Sequence, residues 1–113
     1  MPQDQYSAER KTEYKMRESR VLRTVREGNV ARILKLNTND SKVAEIFAMA
    51  QPDAIWLCNE HCSGSLESLE NQIRAAKTHD VDAIVRVARG SYNDYIRPLE
   101  MDATGLIVPH VMD

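Results

Sequence analysis

The sequence predicts an α/β fold, and three observations carry the prediction. Short apolar segments begin near residues 31, 54, 82 and 105, at intervals of 23, 28 and 23 residues. Between them run stretches with apolar residues at helical spacing, opened by residues that cap helices. No hairpin turn separates consecutive apolar segments, so neighbouring strands must be joined by right-handed parallel crossovers.

Each element follows from local chemistry. Residues 1–17 are polar with little apolar periodicity and read as a tail or a loosely docked helix. A helix is expected from about Glu18, with Val21, Leu22 and Val25 on one stripe and Gly28 as its stop. Residues 31–36 read as the first strand, followed by a loop from Asn37 to Ser41 that ends in a helix cap. Val43, Ile46, Phe47 and Ala50 form the next helical stripe, which Pro52 closes. Residues 54–58 are the second strand. Ser65 caps a helix bearing Leu66, Leu69, Ile73 and Ala76 on one face, with Glu67 and Glu70 early, where the helix dipole favours acids. Residues 82–88 are the third strand. Ser91 and Asp94 make a capping pair for a short helix, which Pro98 should kink or restart. Residues 105–109 are the fourth strand.

Two architectures use such repeats, the open doubly wound sheet and the closed barrel. The turn after the first strand, Asn37-Thr38-Asn39-Asp40, has no glycine to admit a phosphate. The barrel is therefore favoured, with residues 18–113 as its first half. A complete (β/α)₈ barrel takes about 250 residues. A half barrel exposes its first and fourth strands as parallel edges, a template for pairing. The expectation is a truncated barrel, or one closed by association with another chain.

Bulk properties exclude some functions. A net charge of -2 with 28% charged residues, both signs interleaved, argues against a nucleic-acid or anionic-membrane partner. The N-terminal cations Arg10, Lys11, Lys15, Arg17, Arg20, Arg23 and Arg26 alternate with Glu9, Glu13, Glu18 and Glu27, as on a solvated helix face. No apolar run is long enough to span a bilayer. Cys58 and Cys62 form no disulfide framework, and a reducing, cytoplasmic location is expected.

In barrels the reactive side chains come from the C-terminal ends of the strands. Those ends hold Lys35 and Asn37, then Cys58 to Cys62, then Arg86 to Arg89, then Pro109 and His110. Strand alternation puts Ala83, Val85 and Val87 toward the helices and Ile84, Arg86 and Ala88 toward the barrel interior. An inward guanidinium needs an anionic partner. Its fork suits a substrate carboxylate, and a structural ion pair with a neighbouring Asp or Glu fits the pattern equally well. His61 beside Glu60 is a candidate acid–base group; a solvent-exposed loop histidine is the plainer alternative. Cys58-Asn59-Glu60-His61-Cys62 invites a zinc reading but lacks a second ligand pair. Lys35 points inward and could form an imine with a carbonyl substrate, or serve as an ion-paired rim residue. His79 suits a helix C-terminus, and His110 carries no partner signal.

Three stretches in order bear a resemblance. Ile55-Trp56-Leu57-Cys58-Asn59-Glu60-His61, Val85-Arg86-Val87-Ala88 and the segment from Leu99 to Val111 are similar to the "D-G-E-H", "V-R-V-P" and "L-D-x-G-A-x-G-I-M-V-P-x-V" motifs of the HpcH/HpaI aldolase/citrate lyase family. The resemblance implies the N-terminal half of a (β/α)₈ barrel that makes or breaks a carbon–carbon bond beside the enolate of pyruvate or a similar 2-oxo acid. It makes His61 the acid–base group, Arg86 the holder of the substrate carboxylate and oxo group, and Glu100 the acid that pairs with the histidine. It implies a divalent cation, Mg²⁺ or Mn²⁺, whose family ligands lie beyond Asp113, so no metal ligand is expected here. It further implies an aldehyde co-substrate and a homo-oligomer. The sequence departs from the motifs at Cys58 (usually Asp), Asn59 (usually Gly), Ala88 (usually Pro) and Asp102 (usually Gly). The alternative is a non-catalytic half-barrel module that self-associates through its open sheet edges.

Overall fold

Four parallel strands, β1 (Ile33–Lys35), β2 (Ala54–Cys58), β3 (Asp82–Arg86) and β4 (Gly105–Ile107), form one sheet in the order β1-β2-β3-β4. The computed structural model describes residues 15–60 and 64–112. Helices α2 (Ser41–Met49), α3 (Leu66–Thr78) and α4 (Tyr92–Glu100) join successive strands, and α1 (Arg20–Arg26) precedes β1. Strand order follows chain order with no reversal, as in the wall of a barrel and unlike a doubly wound sheet. Right-handed crossovers along such a wall place every connecting helix on the same face. Four parallel strands alternating with four helices in this way are the architecture of the first half of a (β/α)₈ barrel.

The two faces differ as period-two alternation requires. Ile55 and Leu57 of β2 and Ala83 and Val85 of β3 are buried beneath α2 and α3. Trp56, Cys58, Ile84 and Arg86, on the other face, are half-buried. The register aligns Trp56 with Lys35 and Ile84, and Cys58 with Arg86, so these side chains share the inner face in layers. Burying an aliphatic side chain of this size contributes about 1.5–3 kcal/mol, and the helix-facing layer concentrates that gain.

The helices begin and end where their side chains dictate. Ser19, Asp40 and Ser65 each accept a backbone N–H from the first turn of their helix. Ser91 and Asp94 form a reciprocal capping box. Gly28, at φ +80, ends α1 in a Schellman turn, its N–H bonding Val25 O while Asn29 N bonds Thr24 O. The same turn closes α3 at Asp80 (φ 57) and α4 at Asp102 (φ 70), without glycine. Asp102 thus occupies a left-handed position that glycine would take without strain, and its carboxylate pairs with Lys77.

Three expectations shift. In α2 the buried residues are Ala44 and Ala48, with Val43 and Phe47 packed beside them, whereas Ile46 is 63% exposed and Ala50 is the exposed C-cap. Small residues at 44 and 48 allow α2 and α3 to approach closely. In α1 no residue is buried, and Leu22 and Val25 are exposed. Pro98 neither breaks nor restarts α4, which continues to Glu100 with Pro98 buried.

Polar contacts hold α1 instead. Asp82, fully buried at the start of β3, accepts hydrogen bonds from Ser19 Oγ (2.7 Å), Arg20 N (2.9 Å) and Val21 N (2.9 Å), and it pairs with Arg17. Asp53, just before β2, accepts from Arg32 N (2.8 Å) and Thr24 Oγ1 (3.2 Å), and Arg20 stands 3.9 Å away. No helix among the described residues is long and apolar enough to cross a membrane.

Asp82→Ala leaves Arg17 and the first turn of α1 without their acceptor, and breaking a buried pair from one side costs about 3–5 kcal/mol. Urea denaturation should show a loss of that size; a change within experimental error would refute the anchor. For Asp53, the Arg32 N–H is the main cause holding the carboxyl below its usual range, helped by Thr24 and Arg20 against the opposing effect of burial. A depressed folded-state value stabilises above the unfolded carboxylate value of about 3.9 and is lost as pH falls through the folded one. The stability gap between wild type and Asp53→Asn should therefore be full at pH 7 and close in acid. A gap independent of pH would contradict it.

Candidate active site

The polar residues of the inner face collect at the C-terminal ends of the strands. Arg86, the last residue of β3, is the centre. Its Nη2 donates to Cys58 Sγ at 3.0 Å across the β2–β3 register pair. Its Nε lies 3.3 Å from Glu60 Oε1, in the turn after β2. The guanidinium also sits over the ring of Trp56, 5.2 Å from the centroid, while Lys35 Nζ of β1 lies 5.0 Å from the same ring. Such contacts between a cation and an aromatic face contribute about 0.5–2 kcal/mol each.

The backbone fixes this arrangement. Asn59 N donates to Arg86 O at 2.8 Å, extending the β2–β3 ladder past Cys58 and bringing the Glu60 turn alongside Arg86. Val87 N donates to Ile107 O at 3.1 Å, continuing the β3–β4 ladder toward the rim. Beyond β4, His110 adopts a left-handed conformation (φ 53), and its carbonyl accepts from Arg89 Nη1 at 3.2 Å. Its imidazole Nε2 then lies 3.7 Å from Glu60 Oε2. One carboxylate therefore faces a guanidinium with one oxygen and an imidazole with the other. Glu60 is 12% exposed and Arg86 18%, whereas His110 is 71% exposed. The charge pair is largely withdrawn from water, and the histidine is its solvent side.

The expected residues are distributed as follows. Arg86 faces inward at the rim and is paired with Glu60, so the ion-pair reading of its partner is the one present in the structure. His61 and Cys62 lie outside the described residues. Glu100 ends α4 and is exposed, and α4 runs away from the rim toward the start of β4, so Glu100 stands at the opposite end of the sheet from Arg86. Lys35 is an inward-face residue over Trp56. His79 is the C-cap of α3, with Nε2 3.5 Å from Glu45. Among the described residues no group of three His, Cys, Asp or Glu could hold a metal ion.

Sequence reasoning gave no role to Trp56 and no partner to His110. The signal for Trp56 was its place two residues before Cys58, which puts both on the inner face. His110 had no such signal, because its reach to Glu60 depends on a left-handed turn that no local pattern announces.

No family model matches the chain, and no curated protein matches it. Solved structures do. A citrate synthase, SbnG, is 32% identical with a TM-score of 0.76, over 80% of this chain and 37% of that one. An HpcH/HpaI aldolase/citrate lyase family protein from Burkholderia cenocepacia J2315 is 23% identical with a TM-score of 0.74, over 83% and 38%. A macrophomate synthase is 21% identical with a TM-score of 0.73, over 96% and 42%. The latter two likenesses speak to fold alone. The chain spans about two fifths of the length of each of these three structures.

Proposed function

We propose that this chain, which has the fold of part of an HpcH/HpaI aldolase/citrate lyase family protein, forms the Arg86 side of a carbon–carbon lyase site for a 2-oxo acid. One observation carries the reading: a guanidinium at the C-terminal end of an inner strand, braced by Trp56, Cys58 and Glu60. Bracing on three sides fixes the fork before a ligand arrives, which lowers the ordering cost of binding. The 32% identity to a citrate synthase and the likeness to aldolase-family barrels support it.

In this reading Arg86 binds the carboxylate of the 2-oxo acid in charge-assisted geometry. His61, next to Glu60 in the sequence, takes or returns the proton of the hydroxyl whose carbon–carbon bond breaks to release the aldehyde. Glu60 holds Arg86 in place. Glu100 has no part in the site, standing at the far end of the sheet. A divalent cation such as Mg²⁺ or Mn²⁺ would stabilise enolate charge. The described residues do not fit such an ion, and no step is assigned to it. A cytoplasmic location and residues 18–113 as one half-barrel unit belong to the same proposal.

The test is proton–deuteron exchange at the pyruvate methyl group, followed by NMR with added Mn²⁺ or Mg²⁺. Arg86→Ala should lower the rate about 10²-fold, the scale of losing one preorganised charge-stabilising donor. Equal rates in both proteins would end the clamp reading.

A second reading has its own observation. β1 and β4 each pair with a single neighbour in this sheet, and Ile33 and Leu34 of β1 are exposed. Edges of that kind favour self-association, and a homo-oligomer is expected on either reading. Light scattering of the 113-residue chain should give a mass above the monomer's 12.9 kDa; a monodisperse monomer would count against edge-mediated assembly.

A further inference from the structure

We propose that the cleft between the first turns of α3 and α4 is a binding site for a small oxyanion, a carboxylate or phosphate group, held by Arg97 with the amides of Asn59 and Asn93. The cleft has a volume of about 210 Å³. Asn59, in the turn after β2, lines one side of it, and Leu66, at the start of α3, lines a second. Asn93, Asp94, Arg97 and Pro98 of α4 line the third. Arg86 does not line it, so the site is independent of the lyase reading.

Two observations carry it. The first is convergence: the side chains of Asn59, Asn93 and Arg97 meet at one cleft and have no hydrogen-bond or ion-pair partner among the described residues. Asn93 and Arg97 stand one helical turn apart, which puts them on one face of α4. The backbone bond from Asn59 N to Arg86 O (2.8 Å) fixes the turn that brings Asn59 to the same cleft. The second is that the rest of the lining does not compete for the guanidinium. Asp94 is the only acid among the described lining residues, and its Oδ2 accepts from Ser91 N (2.8 Å) and Ser91 Oγ (3.3 Å) in the capping box of α4. Leu66 and Pro98 are apolar, and Pro98 is buried. Apolar walls limit the access of water and strengthen a charge-assisted hydrogen bond beside them.

The donor set selects the ligand. A guanidinium presents N–H groups in a fixed fork that matches two oxygens of a carboxylate or a phosphate. Each asparagine amide adds neutral N–H donors. Arg97 also lies in the last turn of α4, where the helix dipole favours a base. That role alone gives no reason for the two amides to share its cleft, whereas an oxyanion engages all three side chains.

The test titrates inorganic phosphate and acetate, in separate arms at constant ionic strength set with chloride, into the 113-residue chain. NMR follows the side-chain amides of Asn59 and Asn93 and the Nε–H of Arg97. The expected result is a saturable shift of all three groups, with a dissociation constant on the order of 1 mM. Arg97→Gln should weaken binding about 10-fold or more, the scale of losing one charge-assisted contact. Arg97 is exposed and its side chain has no partner to lose, so the variant keeps the fold, which circular dichroism checks. Saturation by phosphate alone assigns the site to a phosphoryl group, and saturation by acetate as well assigns it to a carboxylate. No saturable shift with either anion overturns the site, as does equal affinity in the wild type and Arg97→Gln. Shifts that chloride alone reproduces mark a solvated surface arginine and overturn it too. Binding lost in Arg86→Ala and kept in Arg97→Gln places the anion at Arg86 and refutes the cleft.

Discussion

The buried carboxylate of Asp82 is the constraint on which the arrangement turns. It sits at the N-terminal end of β3, fully removed from water, which is costly for a charge without partners. Its partners are the opening turn of α1, through two backbone N–H groups and Ser19, and the guanidinium of Arg17. Asp53 does the same one strand away. Between them Arg20 reaches Gln51, whose amide donates to His79 O, so the ends of α2 and α3 join the network. α1 buries no residue of its own and is kept in place by these charges. The N-terminal end of the sheet is thereby closed.

That closure gives the opposite end its character. With helices over one face, the apolar side chains of β2 and β3 are spent on the outer layer, and the inner layer is left to Trp56, Cys58, Ile84 and Arg86. Charged groups on this face are half-buried, deep enough for Arg86 and Glu60 to interact strongly. A stable end and a reactive end are the usual division of a β/α barrel. Here two aspartates hold the lower end, and Arg86 stands at the upper one.

The strands were legible to the extent that they are buried. β2, with a neighbour on each side, begins and ends where its apolar run does. β1 and β4, each with one neighbour, keep three residues of longer apolar segments. β3 stops at Arg86, level with the end of β4 at Ile107. Caps were legible because Ser65, Ser91 with Asp94, and Gly28 act on residues a few positions away. Asp82 was legible only as the start of a strand, since its partners at 17–21 lie some sixty residues back. Arg17 had the look of a polar tail for the same reason. In the site, Arg86 could be placed by alternation and by resemblance, whereas the bridge from Glu60 to His110 exists only across three strands.

Cys58 shows how one departure from the family motif alters that bridge. The usual residue there is an aspartate, and the register places it beside Arg86. A carboxylate at that point would be a second anion on a guanidinium that Glu60 already neutralises. The site would then repel a carboxylate ligand unless a cation offset the excess. Cys58 instead accepts from Arg86 Nη2 through a soft, weak acceptor. Position 58 then offers Arg86 a sulfur acceptor, and Glu60 a carboxylate, from the same end of β2. The residue at 58 and the carboxylate at 60 thus act on the same group, the guanidinium of Arg86.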